Sequence, residues 1–375
     1  MLNLGVIHRS RLQDEHRLAI HPLHFESLPE SLRSSMRFET GYGQGLGVTD
    51  EELTGHFGGG ASREELLGVS DVVLLPKPLA EDLGEMREGG VLWGWPHCVQ
   101  QRETTQAAID RRLTLIAWEA MFSWSGRGMR MMHLFDRNNE MAGYCGVIHA
   151  LGLTGKDGYY GPPVKACVLS HGSVSRGAIY ALQARGFGDI TVYTQRPPWA
   201  VHDKILGCRY GRLVAGENDA GATVVEEGGL QRPLVEALAE AEVIVNGILQ
   251  DTDRPLMYLR DDEESRLKAG ALIVDISCDR GMGFPFARPT SFEQPTFTIG
   301  PVTYYAVDHT PSYLWQSASW EISRVVVAFL ETIMAGPEAW EQNETIRRAI
   351  EIGDGVIQNP KILSFQNRSP DYPHK

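Results

Sequence analysis

Short apolar runs alternate with amphipathic segments through the middle of the chain. The pattern predicts, in order, a strand at 165–170, a helix at 175–186, a strand at 189–194, a helix at 233–241 and strands at 242–249 and 268–277. Strands that alternate with helices of this length are typical of βαβ units built on a parallel sheet. The middle of the chain is therefore expected to form a doubly wound domain.

The first part of the chain has a similar rhythm. The runs NLGVIHR, MRFETG, VSDVVLLPKP and GGVLWGWPHCV predict strands, and TQAAIDRRL predicts a helix leading into TLIAWEAM. The segment 317–336 has helical spacing and is expected to pack back on this first part. We therefore predict an α/β fold with two Rossmann-like domains and a cleft between them. The discontinuous domain, 1–138 plus 310–375, would bind substrate, and 139–309 would bind NAD(P).

Composition narrows the function classes. A chain of 375 residues suits two domains, and its net charge of −13 disfavours nucleic acid or an anionic membrane as the main partner. The apolar runs are too short to cross a bilayer, and LNLGVI at the N-terminus reads as a strand. The five cysteines are scattered without a C-x-x-C pair, which favours neither structural zinc nor a disulfide framework. We expect a cytoplasmic protein with small-molecule partners, no metal and a possible homo-oligomeric state.

The turn after the strand at 165–170 resembles a dinucleotide-binding fingerprint that has lost two of its glycines. Gly172 stands at the second glycine position, which the pyrophosphate approaches most closely, whereas Ser170 and Ser175 replace the first and third. If the backbone at Ser170 avoids positive φ, the helix N-terminus still offers free N–H groups to a pyrophosphate. Residues 172–175 (Gly172, Ser173, Val174 and Ser175) are therefore candidate cofactor-binding residues.

The residues at the end of the next strand indicate which form of the cofactor's ribose, with or without a 2′-phosphate, is favoured. Thr194 lies 22 residues after Gly172, where an Asp or Glu normally marks NAD, and no carboxylate is present. Gln195 and Arg196 follow, and Arg176 opens the preceding helix, so two guanidinium groups could meet a 2′-phosphate. This favours NADP(H) over NAD(H). The alternative is a solvated Arg196 beside a proline turn.

Several segments together resemble one enzyme family. They are EHRLAI (15–20), GWPHCVQQRETT (94–105), RNNEMAG (137–143), IVDISCDRGMGFPFARPTSFEQPTF (273–297) and YAVDHTPS (305–312). In this order they resemble the alanine dehydrogenase and saccharopine dehydrogenase superfamily, most closely its N5-(carboxyethyl)ornithine synthase branch. The resemblance implies two Rossmann-like domains and NADPH-dependent reduction of an imine formed from a 2-oxo acid and a side-chain amine. Alanine dehydrogenases carry an Asn-containing loop where this chain has VDHTPS, so that activity is less expected.

The resemblance also implies roles for residues of the first part of the chain. Arg17 matches the arginine that holds the oxo-acid carboxylate, and His97 matches the general acid/base. Lys77 matches a lysine that could polarise the oxo group or act in proton transfer. The family often has Glu after the lysine, and here Pro78 stands in its place. A surface arginine, an ordinary lysine and a core histidine are the structural alternatives.

A second group of positions matches acidic and cofactor-side positions of the family. Glu119 and Asp308 match acidic positions of the substrate cleft, where Asp308 could also support proton transfer, and Arg137 could hold a second carboxylate. Asp279 matches a residue beside the nicotinamide. Asn246 and Gly247 are expected to touch the adenosine or ribose at the crevice edge. For Glu119 and Asp308, capping or turn bonding is the structural alternative.

Three functions stay open at this point. The first is NADPH-dependent condensation of a pyruvate-like 2-oxo acid with an ornithine- or lysine-like amine. The second is saccharopine dehydrogenase-like oxidative cleavage of a secondary amine or hydrazine-linked amino acid. The third is a non-catalytic ligand-binding scaffold, which the replaced glycines and Pro78 favour. Arg17, Lys77 and His97 stand against the scaffold, because an idle fold has no physical reason to keep them together.

Overall fold

Two compact units make up the chain in the computed structural model, which describes residues 1–216 and 221–375. Met1–Asp136 and Leu314–Lys375 form the first unit, and Arg137–Tyr313 forms the second. The segment after residue 313 thus belongs to the same unit as the N-terminal part of the chain. The assignment of substrate to the first unit and cofactor to the second stays a prediction.

The elements are numbered in chain order. The strands are β1 Leu4–Val6, β2 Met36–Glu39, β3 Gly60–Ala61, β4 Val72–Leu74, β5 Val91–Gly94, β6 Thr114–Ala117, β7 Phe122–Trp124, β8 Arg130–His133, β9 Lys165–Leu169, β10 Asp189–Thr194, β11 Cys208–Val214, β12 Thr223–Val225, β13 Gln231–Pro233, β14 Val243–Asn246, β15 Leu272–Asp275, β16 Thr296–Ile299, β17 Val302–Tyr305, β18 Ile350–Gly353 and β19 Val356–Ile357. The α-helices are α1 Glu30–Arg33, α2 Asp50–His56, α3 Arg63–Val69, α4 Ala80–Glu85, α5 Arg102–Asp110, α6 Asp136–Thr154, α7 Ser173–Ala184, α8 Leu234–Leu238, α9 Trp315–Ala335, α10 Pro337–Gln342, α11 Glu344–Ala349 and α12 Pro360–Gln366.

The first unit is built on a sheet of order β19-β18-β6-β5-β4-β1-β2-β3. Strands β1 to β6 are parallel, whereas β18 pairs antiparallel with β6 and β19 antiparallel with β18. The central strands β1, β4 and β5 are buried throughout because helices cover both sides of a doubly wound sheet. On one side, Ile322, Val326 and Leu330 of α9 join the same buried cluster as Val72 and Trp93.

The second unit has a sheet whose parallel strands lie in the order β11-β10-β9-β14-β15-β17, flanked by antiparallel strands. In chain order, the strands of this sheet begin with β9 in the centre and continue outward to β10 and β11. The chain then crosses to the other side of β9 to form β14. Ligands of such sheets bind outside the carboxyl ends of the strands, where the winding reverses. The first sheet repeats this winding, with β1 and β4 at the reversal. The predicted α/β class with two Rossmann-like folds is confirmed.

Some elements differ from the predictions. The helix expected at 233–241 is only α8, and the strand expected at 268–277 is confined to β15. The pattern missed the hairpin β7–β8 and the strands β18 and β19, which join the first sheet from the far end of the chain. Within the part of the chain that the structure describes, no helix combines the length and apolarity that a bilayer crossing requires.

Candidate active site

Three of the predicted catalytic and substrate residues follow adjacent strands of the first sheet. Lys77 comes three residues after β4, His97 three after β5, and Glu119 two after β6. Because β4, β5 and β6 are parallel neighbours, their carboxyl ends meet at one edge of the sheet. The topology thus brings to one edge an ammonium group, an imidazole and a carboxyl that lie far apart in sequence.

His97 and Glu119 are in direct contact. The backbone N–H of His97 donates to Glu119 Oε1 over 2.7 Å, and His97 Nδ1 lies 3.8 Å from the same oxygen. His97 has a left-handed backbone with φ +47°, a conformation that costs free energy for a residue with a Cβ. The carboxylate of Glu119 therefore helps to hold a strained loop that presents the imidazole.

The carboxyl of Glu119 is partly enclosed. About a quarter of the side chain (25%) is accessible, but Oε2 is buried without a hydrogen-bond partner. Burial and the neighbouring carboxyl of Glu351 raise the pKa of Glu119 well above its ordinary value, against the opposing effect of the Lys77 ammonium. The same two carboxyls and burial raise the pKa of the Cys98 thiol, which makes this cysteine a poor nucleophile.

Arg17 lies in the loop that follows β1. The side chain is only 3% exposed, and its guanidinium forms a two-pronged ion pair with buried Glu15, with Nε donating to Glu15 Oε1 over 2.8 Å. The guanidinium carbon lies 5.1 Å from the centre of the Trp95 ring, which follows β5. A cation–π contact and a carboxylate clamp thus fix the orientation of Arg17.

The turn between β9 and α7 keeps the shape of the fingerprint without its first glycine. Ser170 has φ +88°, so the backbone here does adopt the positive φ that costs free energy for a serine, and the condition set in the sequence analysis is not met. The hydroxyl compensates by accepting the backbone N–H of Gly172 over 3.2 Å. A Cβ built on Gly172 would meet only Ser170 Oγ, at 3.7 Å, so the turn leaves open space above Gly172. Ser173, Val174 and Ser175 form the first turn of α7, whose free N–H groups suit a phosphate.

Ser175 and Gly247 pack against each other at the reversal point between β9 and β14. The Ser175 hydroxyl is fully buried and donates to the carbonyl of Leu169 over 3.1 Å. A Cβ at Gly247 would lie 2.5 Å from that hydroxyl, so a glycine after β14 makes room for the serine. The side chain of Asn246 is buried and donates to Asp275 Oδ1 over 2.9 Å, which braces β14 against β15. Its cofactor role stays a prediction.

The two arginines near β10 have different surroundings. Arg176 forms an ion pair with Asp203, a carboxylate of the loop after β10. Arg196 is exposed, and its guanidinium donates to the carbonyl of His171 over 3.4 Å. Thr194 is buried and its hydroxyl accepts the N–H of Arg196, while Gln195 is exposed. Among the described residues, no carboxylate pairs with Arg196.

The remaining predicted residues lie in the second unit. Asp279 lies four residues after β15, and the residue before it, Cys278, has a left-handed backbone with φ +45°. Asp308 is bonded through Oδ1 to Nδ1 of buried His309. Arg137 is exposed and pairs with Glu140 one turn along α6. The site roles predicted for these residues stay predictions.

Three carboxylates at these sites were missed by the sequence analysis: Glu15, Asp203 and Glu351. Glu15 stands two residues before Arg17 in the same motif, so a clamp within EHR could have been proposed. Asp203 lies in a loop, and Glu351 lies in the last part of the chain. Their partners depend on how distant segments meet, and the sequence carries no local signal for them.

Comparison with known families matches both parts of the chain. The family model for the alanine dehydrogenase/PNT N-terminal domain matches residues 6–139, and the model for the C-terminal domain matches residues 209–360. An alanine dehydrogenase of Mycobacterium tuberculosis is 22% identical, with 94% of this chain and 93% of that protein covered. An N(5)-(carboxyethyl)ornithine synthase of Clostridium botulinum is 24% identical, with 83% and 88% covered.

Solved structures agree with this fold. An L-alanine dehydrogenase superposes with a TM-score of 0.75 at 19% identity, covering 98% of this chain and 99% of that one. A transhydrogenase from Sinorhizobium meliloti superposes with a TM-score of 0.71 at 19% identity, covering 95% and 99%. The two matched domain models and the shared fold lead to one conclusion: the chain belongs to the alanine dehydrogenase/PNT family of oxidoreductases.

Proposed function

We propose that this protein is an NADPH-dependent oxidoreductase that condenses a pyruvate-like 2-oxo acid with the side-chain amine of an ornithine- or lysine-like amino acid and reduces the resulting imine. The observation that carries the proposal is the meeting of Lys77, His97 and Glu119 at the carboxyl ends of adjacent strands. Imine formation needs proton donors and acceptors that work near neutral pH, which this set supplies.

Each residue has a task that its surroundings favour. The Arg17 guanidinium, held by Glu15 and Trp95, would bind the carboxylate of the oxo acid. Lys77 would polarise the oxo group. His97 would deliver and remove protons as the amine adds and water leaves, and Glu119 would hold the His97 loop and favour a cationic amine.

The turn at residues 170–175 is the proposed cofactor site. The open space above Gly172 and the first turn of α7 suit a pyrophosphate, and a nicotinamide cofactor bound there would supply the hydride. NADP(H) is preferred in this proposal because Arg196 is exposed and without a paired carboxylate among the described residues, so it can meet a 2′-phosphate. The Asp203 carboxylate partly neutralises the Arg176 guanidinium and so reduces the contribution of Arg176 to binding a 2′-phosphate.

The second candidate is oxidative deamination of an amino acid. In the reverse direction of this reaction, ammonia takes the place of the side-chain amine. The match to the alanine dehydrogenase of Mycobacterium tuberculosis covers 94% of this chain, against 83% for the carboxyethylornithine synthase of Clostridium botulinum. The chemistry of imine reduction is common to both candidates, and the amine distinguishes them.

A matrix of substrates tests the proposal. Purified protein is incubated with NADPH or NADH, with pyruvate or 2-oxoglutarate, and with ornithine, lysine or ammonia. Loss of reduced cofactor is followed by absorbance, and products are identified by mass spectrometry. A secondary amine from pyruvate and a diamino acid supports the proposal, turnover with ammonia alone supports the second candidate, and 2-oxoglutarate with lysine points to the saccharopine-type reaction. Folded protein that binds neither cofactor would instead be a scaffold.

A further inference from the structure

The second buried carboxyl at the first-unit site belongs to Glu351, which enters from the far end of the chain. Strand β18 pairs antiparallel with β6, the strand that leads into Glu119, and the register is irregular between Ile350 and Ile352. Such a bulge redirects the side chain at the irregular position. Here that position is Glu351, which is only 6% exposed.

Each of the two carboxyls has one satisfied oxygen and one enclosed oxygen without a partner. Glu351 Oε1 accepts from the Asn359 amide over 2.9 Å, and Glu119 Oε1 accepts from the His97 backbone. Oε2 of Glu351 and Oε2 of Glu119 are both buried, and neither has a hydrogen-bond partner among residues 1–216 and 221–375. Two ionised carboxylates with enclosed, unpaired oxygens near each other are strongly disfavoured, whereas one proton held by the pair removes one of the two charges and supplies an O–H donor.

The other titratable groups around the pair do not remove this need. Lys77 and His97 face Glu119, and the His133 ring bonds to the carbonyl of Trp118, the residue before Glu119. The Cys98 thiol lies near both carboxyls and stays protonated, since burial and the two carboxyls raise its pKa. On the Glu351 side, Asn359 is neutral and the Arg348 guanidinium pairs with Glu344. The Arg130 guanidinium also lines the cavity beside Glu351, where it lies over the Phe122 ring.

We propose that Glu351 is a positioning residue that shares one proton with Glu119 and thereby sets the charge of the carboxyl that holds the His97 loop. Glu351, Asn359 and Ala120 line a surface cavity of about 300 Å³. Ala120 directly follows Glu119. The cavity gives water a route to this pair, so the shared proton exchanges with solvent without passing through the substrate side of His97.

Infrared spectroscopy of the protein without substrate tests the shared proton. The carbonyl stretch of a protonated carboxyl is followed from pH 4 to pH 9 in the unaltered protein and in Glu351→Gln. We expect a protonated carboxyl that persists above the ordinary carboxyl range and is lost in Glu351→Gln, because the glutamine amide can donate to Glu119 Oε2 and favour its ionised form. Glu341→Gln, which removes an exposed carboxylate of helix α10 that pairs with Arg347, should leave the band unchanged.

Two results would overturn the inference: a band that titrates with the ordinary carboxyls in the unaltered protein, or one that Glu351→Gln leaves in place. Glu119→Gln provides a second variant that must also lose the band, so the test does not depend on the folding of one protein. These spectra need no catalytic activity.

A kinetic test rests on the proposed function. In Glu351→Gln the inflection that the pair gives to the pH–rate profile should move to lower pH by about one unit or more, with KM for the oxo acid little changed. An inactive unaltered protein would contradict the proposed function while leaving the spectroscopic test intact. An active enzyme whose profile is unmoved by Glu351→Gln would contradict the role of Glu351.

Discussion

Gly143 of α6 lies directly against the carbonyl oxygen of Val174 in the first turn of α7: a Cβ built on Gly143 would be 1.8 Å from that oxygen. The reverse contact is as close, since a Cβ on Gly177 would lie 1.7 Å from the carbonyl oxygen of Glu140. The two helices therefore touch backbone to backbone. This contact holds the N-terminus of α7, and with it the proposed pyrophosphate turn, against a long helix.

Gly143→Ala should destabilise the protein by about 3 kcal/mol, because the added methyl group forces α6 away from α7. Chemical unfolding measures the loss, and a titration with NADPH should show weaker binding because the phosphate turn moves. Gly152→Ala is the matched control: it lies on the same helix, and beyond that helix's own backbone no atom of the described residues lies within 4 Å of the added Cβ. It should stabilise by about 0.5–1 kcal/mol, and equal stability of the two variants would refute the close contact.

Ser170→Ala should cost about 1 kcal/mol of stability, since it keeps the left-handed backbone and removes the hydroxyl that accepts the Gly172 N–H. Ser170→Gly should stay within about 1 kcal/mol of the unaltered protein, because relief of strain offsets the lost hydrogen bond and the added chain entropy. Denaturant midpoints for the three proteins provide the measurement. An alanine variant as stable as the serine protein would show that the hydroxyl has no such role.

Arg17→Gln should destabilise the first unit by about 3–5 kcal/mol, because it leaves the Glu15 carboxylate buried at 2% exposure without its ion pair. The double variant Glu15→Gln/Arg17→Gln should recover most of that loss, since two neutral amides can bond to each other. The melting temperatures of the unaltered protein, the single variant and the double variant, measured by thermal unfolding, test this prediction.

Kinetics then distinguish the two roles of Arg17. If it binds the oxo-acid carboxylate, the stable double variant should still have a KM for the oxo acid raised by about tenfold or more. A double variant with an unchanged KM would restrict Arg17 to the structural clamp with Glu15.

Arg196→Gln should weaken NADPH binding by about tenfold and leave NADH binding within about threefold, since only NADPH carries the 2′-phosphate. Asp203→Asn should have the opposite effect, because it releases the Arg176 guanidinium from its ion pair. Fluorescence titrations at fixed salt give the affinities. Arg209→Gln, on β11, removes a comparable exposed ion pair with Asp189 of β10 and should leave both affinities unchanged. Equal loss of NADH and NADPH binding in Arg196→Gln would contradict the assignment.

Local sequence signals located most of the central elements. The strand predicted at 189–194 coincides with β10, because Gly188 and the QRPP turn bound a run rich in β-branched and aromatic residues. The helix predicted to begin at 175 begins at Ser173, because the helix cap is Gly172 itself. Sequence motifs were sufficient to select Lys77, His97 and Glu119. Their position at one edge of the sheet follows from the parallel order of β4, β5 and β6.

Features that depend on distant segments could not be predicted in this way. The antiparallel pairing of β18 with β6 and the bulge at Glu351 join residues more than 200 positions apart, and neither strand carries a local mark of its partner. The left-handed Ser170 is a second case. The surrounding strand and helix impose the backbone conformation there. A serine can adopt this conformation because its hydroxyl accepts a hydrogen bond from the Gly172 N–H, although it lacks the conformational freedom of glycine.

The discontinuity of the first unit has a consequence for biosynthesis. Residues 137–313 are contiguous, so the second unit can fold as soon as they leave the ribosome. The first unit must wait for α9, whose apolar face covers its sheet, and for β18, which closes the edge of β6. During translation β6 therefore presents an unpaired edge, and the nascent segment 1–136 is the part of the molecule that most needs protection by chaperones.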